Sequence, residues 1–248
     1  MKKIRMDPAE KPYSFKGKKV SLKDMLTAEK WDYVTIQQFS MFSFKIDTYR
    51  PFAKNLVEYI RKYAPSAEVV FHQTWAYRAD DDRLFKDGFD QKTMYQQLTK
   101  NYHTIADEIG IRRIIPVGDA FQLAAESPEW KFESDKNFDF AKAESPNLPD
   151  QTHSLHVGYR WKKTDGKDTL SYDSHHANFA GEFLAGCVWF EFFFGDDVRN
   201  NTFKPDNMEN NDAEILRSIA HKVVTEGVKP AAWPMGETDQ RDTERESR

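Results

Sequence analysis

Apolar positions along this chain switch between two periods, and the switching predicts strands and helices in turn. Ser21-Leu-Lys-Asp24 reads as a cap that opens a short helix running through Leu26. Trp31–Gln38 reads as a buried strand that ends in two amides. In Tyr49–Tyr63 the side chains of Phe52, Leu56, Tyr59 and Ile60 share one helical face, and Pro65 stops the run. Glu68–Trp75 is a second apolar strand. Lys92–Ile109 is a long helix, with Gly110 where a left-handed C′ residue belongs. Arg112–Gly118 is a third strand. Asn178–Phe194 is an apolar helix closed by Gly195, and Asp212–Thr225 is the last helix.

Between these elements the pattern weakens. Residues 1–20 are polar and carry Lys-rich turn chemistry, and residues 78–91, with Arg78-Ala-Asp-Asp-Asp-Arg83, read as a solvated charged loop. Residues 125–170 are rich in Pro, Asn, Asp and Lys and predict an irregular excursion. Pro230–Arg248 has prolines followed by alternating charges with no apolar period, the pattern of a disordered tail. No internal repeat is present. Helices alternating with strands that are apolar throughout imply an α/β domain over residues 1–229, built on a parallel sheet covered on both faces. In such sheets functional groups gather at the carboxyl ends of the strands. Here those ends are Gln37-Gln38-Phe39-Ser40, Thr74-Trp75-Ala76-Tyr77-Arg78 and Gly118-Asp119-Ala120-Phe121-Gln122, all polar or aromatic.

Composition narrows the classes. With 248 residues, 39% hydrophobic and 14% aromatic, the chain can bury one sizeable core. A net charge of -4 argues against nucleic acid as a partner, which needs a concentrated basic face. The lone cysteine, Cys187, excludes an internal disulfide, and its apolar helical setting reads as a buried structural thiol. No stretch approaches the ~18 apolar residues of a membrane span. Met1–Pro8 is basic with no apolar run behind it, so it is not a signal peptide. Localisation and oligomeric state stay open.

The most informative chemistry is Asp173-Ser-His175-His176, just before the apolar helix. An acid and an imidazole three residues apart can supply a general base together with the partner that holds its tautomer. Helix capping by Asp173 or Ser174 is the plainer use of the same residues. His175 reads as a neighbour of the base. His153 and His156, with Asp173 and His175, offer ligand types that metals favour, but on a spacing that fits no template, and no metal or other cofactor is expected. Ser40 follows a strand but lacks the glycines of a strained nucleophile elbow. Gln37, Gln38, Thr74 and Trp75 are the candidates for oxyanion stabilisation or substrate binding, with strand-end hydrogen bonding or core packing as the alternative for each. Trp75, Tyr77 and Arg78 together would suit a sugar-binding wall.

Four blocks carry a family resemblance: Trp31-Asp-Tyr-Val-Thr-Ile-Gln-Gln-Phe-Ser40, His72-Gln-Thr-Trp-Ala-Tyr77, Ile115-Pro-Val-Gly-Asp-Ala-Phe-Gln122, and Asp173-x-x-His176-x-Asn178-x-x-Gly181-x-x-Leu-Ala-x-Cys-Val188. From about residue 20 to 225 the chain resembles the SGNH (GDSL-type) hydrolase superfamily, and more closely a bacterial subfamily carried as a domain of unknown function. That resemblance implies a three-layer α/β/α sandwich of flavodoxin type and ester hydrolysis, with acyl esters, acetylated carbohydrate among them, as substrates. His176 would be the base, Asp173 its partner, and Gln37 or Gln38 an oxyanion donor. The family's serine block, expected before the strand at 31–38, is not found in this chain. The resemblance therefore implies a sheet lacking its first strand, through truncation or through loss of the nucleophile. A non-catalytic binding module on the same fold and a metal-dependent hydrolase are the competing expectations.

Overall fold

The structure, a computed structural model, describes residues 9–234. It opens with a hairpin, β1 (Tyr13–Phe15) and β2 (Lys18–Val20), whose Lys16-Gly17 turn takes positive φ at both residues. Helix α1 (Leu22–Thr27) follows under the predicted capping box: Ser21 Oγ accepts from Asp24 N, and Asp24 Oδ2 accepts from Ser21 N.

The central sheet has three strands in the order β3 (Tyr33–Ile36), β4 (Glu68–His72), β5 (Ile114–Ile115), all parallel. The fold is mixed α/β, as the alternation implied. Helices α2 (Ser40–Ser43), α3 (Phe52–Tyr63) and α4 (Gln91–Ile109) lie between the strands in sequence. Side chains of β4 alternate between two cores. Val69 and Phe71 join Leu26, Val57, Ile60, Met94, Leu98 and Tyr102 from α1, α3 and α4. Val70 joins Ile115 and the apolar faces of α5 (Val117–Glu126), α6 (Phe179–Phe194) and α7 (Asn210–Val224). Among the described residues no helix is long and apolar enough to cross a membrane.

Four expectations are corrected. The third strand is only two residues long, because Pro116 ends it and Val117–Glu126 turns helical. Val117, Ala120, Phe121 and Ala124 recur at helical spacing and all four are buried. Gly118 sits where an added Cβ would meet Thr74 O at 2.3 Å, so this helix starts hard against the segment that leaves β4.

The excursion at 125–170 is irregular only at first. From His156 it becomes an antiparallel hairpin, β6 (His156–Thr164) and β7 (Lys167–Ala177), turning at Asp165-Gly166 with φ 51 and 75. Asp-Gly is the primed-turn pair, so the signal was present. The outer half of the hairpin is polar and exposed on both faces, which erased the strand alternation around it.

The loop at 78–91 is anchored, not solvated: Asp81 is buried, with Arg83 and Ser174 as partners. The stretch expected as a tail from Pro230 docks at its start. Ala231 N and Ala232 N donate to the Glu126 carboxylate at 2.6 and 3.0 Å, and Trp233 packs edge-on to His103. The rest of that stretch lies outside the described residues, as do residues 1–8 of the polar start.

Candidate active site

Strand β7 carries Asp173, Ser174, His175 and His176 in its final turn of pleat, with Asn178, not Asp173 or Ser174, capping the helix behind them. The end of β7 is tied to the segment leaving β4. Arg78 N donates to Ser174 O at 2.9 Å, and Trp75 Nε1 donates to His175 O at 3.0 Å. His156, at the start of β6, bonds Ala76 O through Nε2 at 3.0 Å. A carbonyl only accepts, so that nitrogen carries the proton. These ties bring the Asp173–His176 segment to the carboxyl side of β4, where open α/β sheets place their chemistry.

Asp173 is the hub. Its Oδ2 lies 2.9 Å from His176 Nδ1, and its Oδ1 accepts from His176 N at 3.1 Å and His175 N at 3.3 Å. Its Oδ1 also lies 3.2 Å from His175 Nδ1. The carboxylate is 13% exposed and the His176 ring 69%. Burial pushes the Asp173 pKa up, but the hydrogen bonds from the His176 ring and from the two backbone amides outweigh it and hold the group at about 2. Asp173 is thus a fixed anion at neutral pH. His176 Nδ1 faces this acceptor, which leaves Nε2 turned outward. Burial lowers the pKa of His175, whose ring packs 4.0 Å from His176 and 5.2 Å from Tyr77 between ring centroids.

The other candidates are held differently. Ser40 begins α2 and its Oγ bonds Tyr77 Oη at 3.0 Å. Among the described residues no serine hydroxyl hydrogen-bonds His176. Gln37 is exposed at the end of β3. Gln38 is committed to its own loop: Nε2 donates to Thr48 O and Oγ1 at 3.2 and 3.1 Å, and Oε1 accepts from Phe39 N at 2.8 Å. Its amide has no donor to spare in this arrangement, which corrects the oxyanion expectation for that residue. Thr74 is buried with its hydroxyl 3.3 Å from Tyr102 Oη. Trp75 stacks on Phe121 at 4.5 Å while its indole N–H holds His175 O, so it positions the strand end instead of offering a free face. Tyr77 and Arg78 are buried, so neither forms an open sugar-binding wall.

A buried ionic frame behind the site was not visible in the sequence. Arg78 binds Asp80 through two parallel bonds of 2.7 and 2.8 Å and Gln151 Oε1 at 2.7 Å, under the rings of Phe132, Tyr159 and Tyr172. Tyr172 Oη donates to Asp80, and Ser174 Oγ to Asp81. Residues on either side of Asp173 are therefore both pinned. Gly158 makes room for the frame: it lies at the β-bulge with φ 65, and a Cβ there would meet Arg78 Nη1 at 2.0 Å. The two histidines whose ligand chemistry stood out in the sequence, His153 and His156, are each engaged elsewhere. His153 stacks on Trp130, and His156 serves Ala76. Among the described residues two groups bring three ligand atoms within 4.8 Å of one another: Asp173, His175 and His176 at this site, and Glu191, Asp197 and His221 away from it.

Fold and site together describe an α/β protein that presents a carboxylate–imidazole pair on the carboxyl side of a short parallel sheet. The chain belongs to the family described as a domain of unknown function, DUF4886, which it matches over residues 1–142 and 157–223. It is similar to a crystal structure of a DUF4886 family protein from Bacteroides uniformis ATCC 8492, with 25% identity and a TM-score of 0.62, covering 86% of this chain and 72% of that one. No curated protein matches it.

Proposed function

We propose that this protein is an esterase-like hydrolase of the SGNH type that acts on acyl esters, acetylated carbohydrates being the substrate class its family resemblance favours. The two cores on opposite faces of β4 support reading the fold as the three-layer, flavodoxin-like sandwich of those enzymes. The observation that carries the functional reading is the 2.9 Å bond from His176 Nδ1 to a carboxylate held at about 2, with the rest of the ring exposed.

In that geometry His176 Nε2 takes a proton from the attacking oxygen as it adds to the ester carbonyl. It then returns the proton to the departing alkoxide, while Asp173 stabilises the imidazolium between the two steps. No serine is presented to His176, so in the described chain the attacking oxygen is water and turnover is slow. Ser40, engaged by Tyr77, takes no part. A second reading draws on the Asp173–His175–His176 cluster, a three-ligand set that could hold a hydrolytic metal ion.

One assay separates these readings. Purified protein should hydrolyse p-nitrophenyl acetate slowly, lose about 10²-fold in rate on His176→Ala, and respond neither to Ser40→Ala nor to a chelator. Turnover indifferent to His176→Ala would leave a binding module on the same fold. Rapid turnover abolished by Ser40→Ala would make Ser40 the nucleophile. Loss of activity on chelation, restored by zinc, would establish the metal reading.

A further inference from the structure

Helix α6 is apolar around most of its circumference, with Glu182 and Glu191 as its only charged residues. Such a helix is ordinarily buried on all sides. One side of α6 instead borders a cavity of about 480 Å³, closed by the segment 198–205 and by α7. Position 186 faces this space with no side chain, and a Cβ added there meets nothing within 4 Å. Phe183, Cys187 and Phe190 form its apolar wall, and Phe203, 70% exposed, stands on the opposite side.

Arg217 of α7 lines the same cavity and is only 8% exposed. Its Nη2 donates to Phe203 O at 2.8 Å and its guanidinium lies 5.5 Å from the Phe183 ring centroid. Its Nε–H has no acceptor, and among the described residues no carboxylate pairs with it. A buried cation without a counter-ion is costly, and a cation at the wall of an apolar groove asks for an anion that brings its own apolar body. Glu182, the other charged group on the lining, is exposed to solvent and leaves Arg217 unneutralised.

We propose that this groove binds a medium-chain carboxylate, with its head group on Arg217 and its alkyl chain over Gly186 against Phe183, Cys187 and Phe190. The volume falls within the range of ligand pockets, about 300–1,000 Å³. An apolar wall with one convergent charged group is the usual composition of such a site. The carboxylate strengthens its hydrogen bonds to the guanidinium by charge, and the chain fills the space left between α6, α7 and the segment 198–205. The site does not depend on the chemistry proposed for Asp173 and His176. Its ligand is a free fatty acid or the acid released from an acyl ester, which share one chemistry.

Isothermal titration of the full chain with decanoate and with decanol, both below micelle formation, tests this. Decanoate should bind at least about tenfold more tightly than decanol. Arg217→Met, which replaces an unpaired buried charge by an apolar side chain of similar length, should abolish that preference and leave decanol binding unchanged. Gly186→Leu places a side chain into the groove from a position whose Cβ meets nothing within 4 Å, and it improves the helix, so it should raise the Tm and eliminate binding of both ligands. Equal binding of decanoate and decanol to the wild type would overturn the role of Arg217. Decanoate binding that survives Gly186→Leu would place the ligand elsewhere, and absence of binding by a folded wild-type chain would refute the site outright. Hydrolysis of p-nitrophenyl acetate that persists in Gly186→Leu would show the two sites to be separate, so that failure of one reading leaves the other standing.

Discussion

Asp173 does two jobs with two oxygens: Oδ1 accepts the backbone amides of His175 and His176, and Oδ2 takes the His176 ring. The first job shapes the strand end and the second orients an imidazole. Substitution can separate them. Asn keeps an oxygen for the amides but presents no anion to Nδ1–H, so Asp173→Asn should fold normally and free the ring. Nitrogen-15 NMR of neutral His176 should show the Nδ1-protonated tautomer in the wild type and a mixture in Asp173→Asn, with ester turnover lower by about tenfold or more. A wild-type spectrum already dominated by the Nε2-protonated form would remove His176 as a base directed by Asp173. The pairing itself was legible in the sequence as an acid and a histidine three apart. The commitment of the Gln38 amide to Thr48 was not, because it depends on how a loop ten residues away folds back.

Asn178 joins the site to its helix. Its Oδ1 accepts from Ala180 N and Gly181 N, both at 3.0 Å, and its Nδ2 donates to Ser154 O at 2.6 Å. One side chain thus caps α6, ends β7 and holds the segment that leads into β6. Asn178→Ala should cost about 1–2 kcal/mol of stability through the lost cap. Asn178→Asp keeps the cap and loses only the bond to Ser154, so it should fall between the two in urea unfolding. If Asn178→Ala matched the wild type, the cap would have no energetic part in placing β7. The long helices α4, α6 and α7 were readable to within two residues at each end, since period, cap and terminal glycine agree in α4 and α6 and the apolar period alone marks α7. The hairpin β6–β7 was not, because half of it faces solvent on both sides and has no apolar alternation to read.

Across the whole molecule, two largely covered histidines make stability depend on pH. His72 Nδ1 accepts from Trp189 Nε1 at 3.0 Å and so must stay unprotonated, and burial lowers its pKa to about 4. Burial also lowers His156 to about 4, with the bond to Ala76 O and the charges of Arg78, Asp80 and Asp173 as smaller influences. Unfolded, each titrates near 6.5. Between pH 6.5 and 4 the unfolded chain binds protons that the folded chain does not, so stability rises with pH through that window and is lost as pH falls. Each site accounts for up to about 3 kcal/mol. The Asp173 carboxylate, whose folded pKa lies below its unfolded value, extends the loss toward about pH 2. Urea midpoints should therefore fall from pH 7 to pH 4.5, with a shallower fall in His72→Gln. A flat profile over that range in the wild type would contradict the covered, neutral state of both rings.

The sequence by itself determined the features that rest on local rules. The capping box at Ser21, the C′ glycine at Gly110, the helix behind Asn178 and the α/β alternation all follow from neighbours within a few residues. The Asp173–His176 pair belongs to the same class, since its partners lie three positions apart. Only the tertiary structure decided which polar groups are spent and which remain available. Asp81 is buried because Arg83 and Ser174 reach it, the latter from 93 residues away. Thr74 and Trp75 are consumed by Tyr102 and His175. Arg217, an ordinary residue of an amphipathic helix in the sequence, becomes an unpaired cation at the wall of an apolar groove. Hydrogen-bond satisfaction depends on the atoms that close around a group, and in a fold of this kind those atoms come from segments far along the chain.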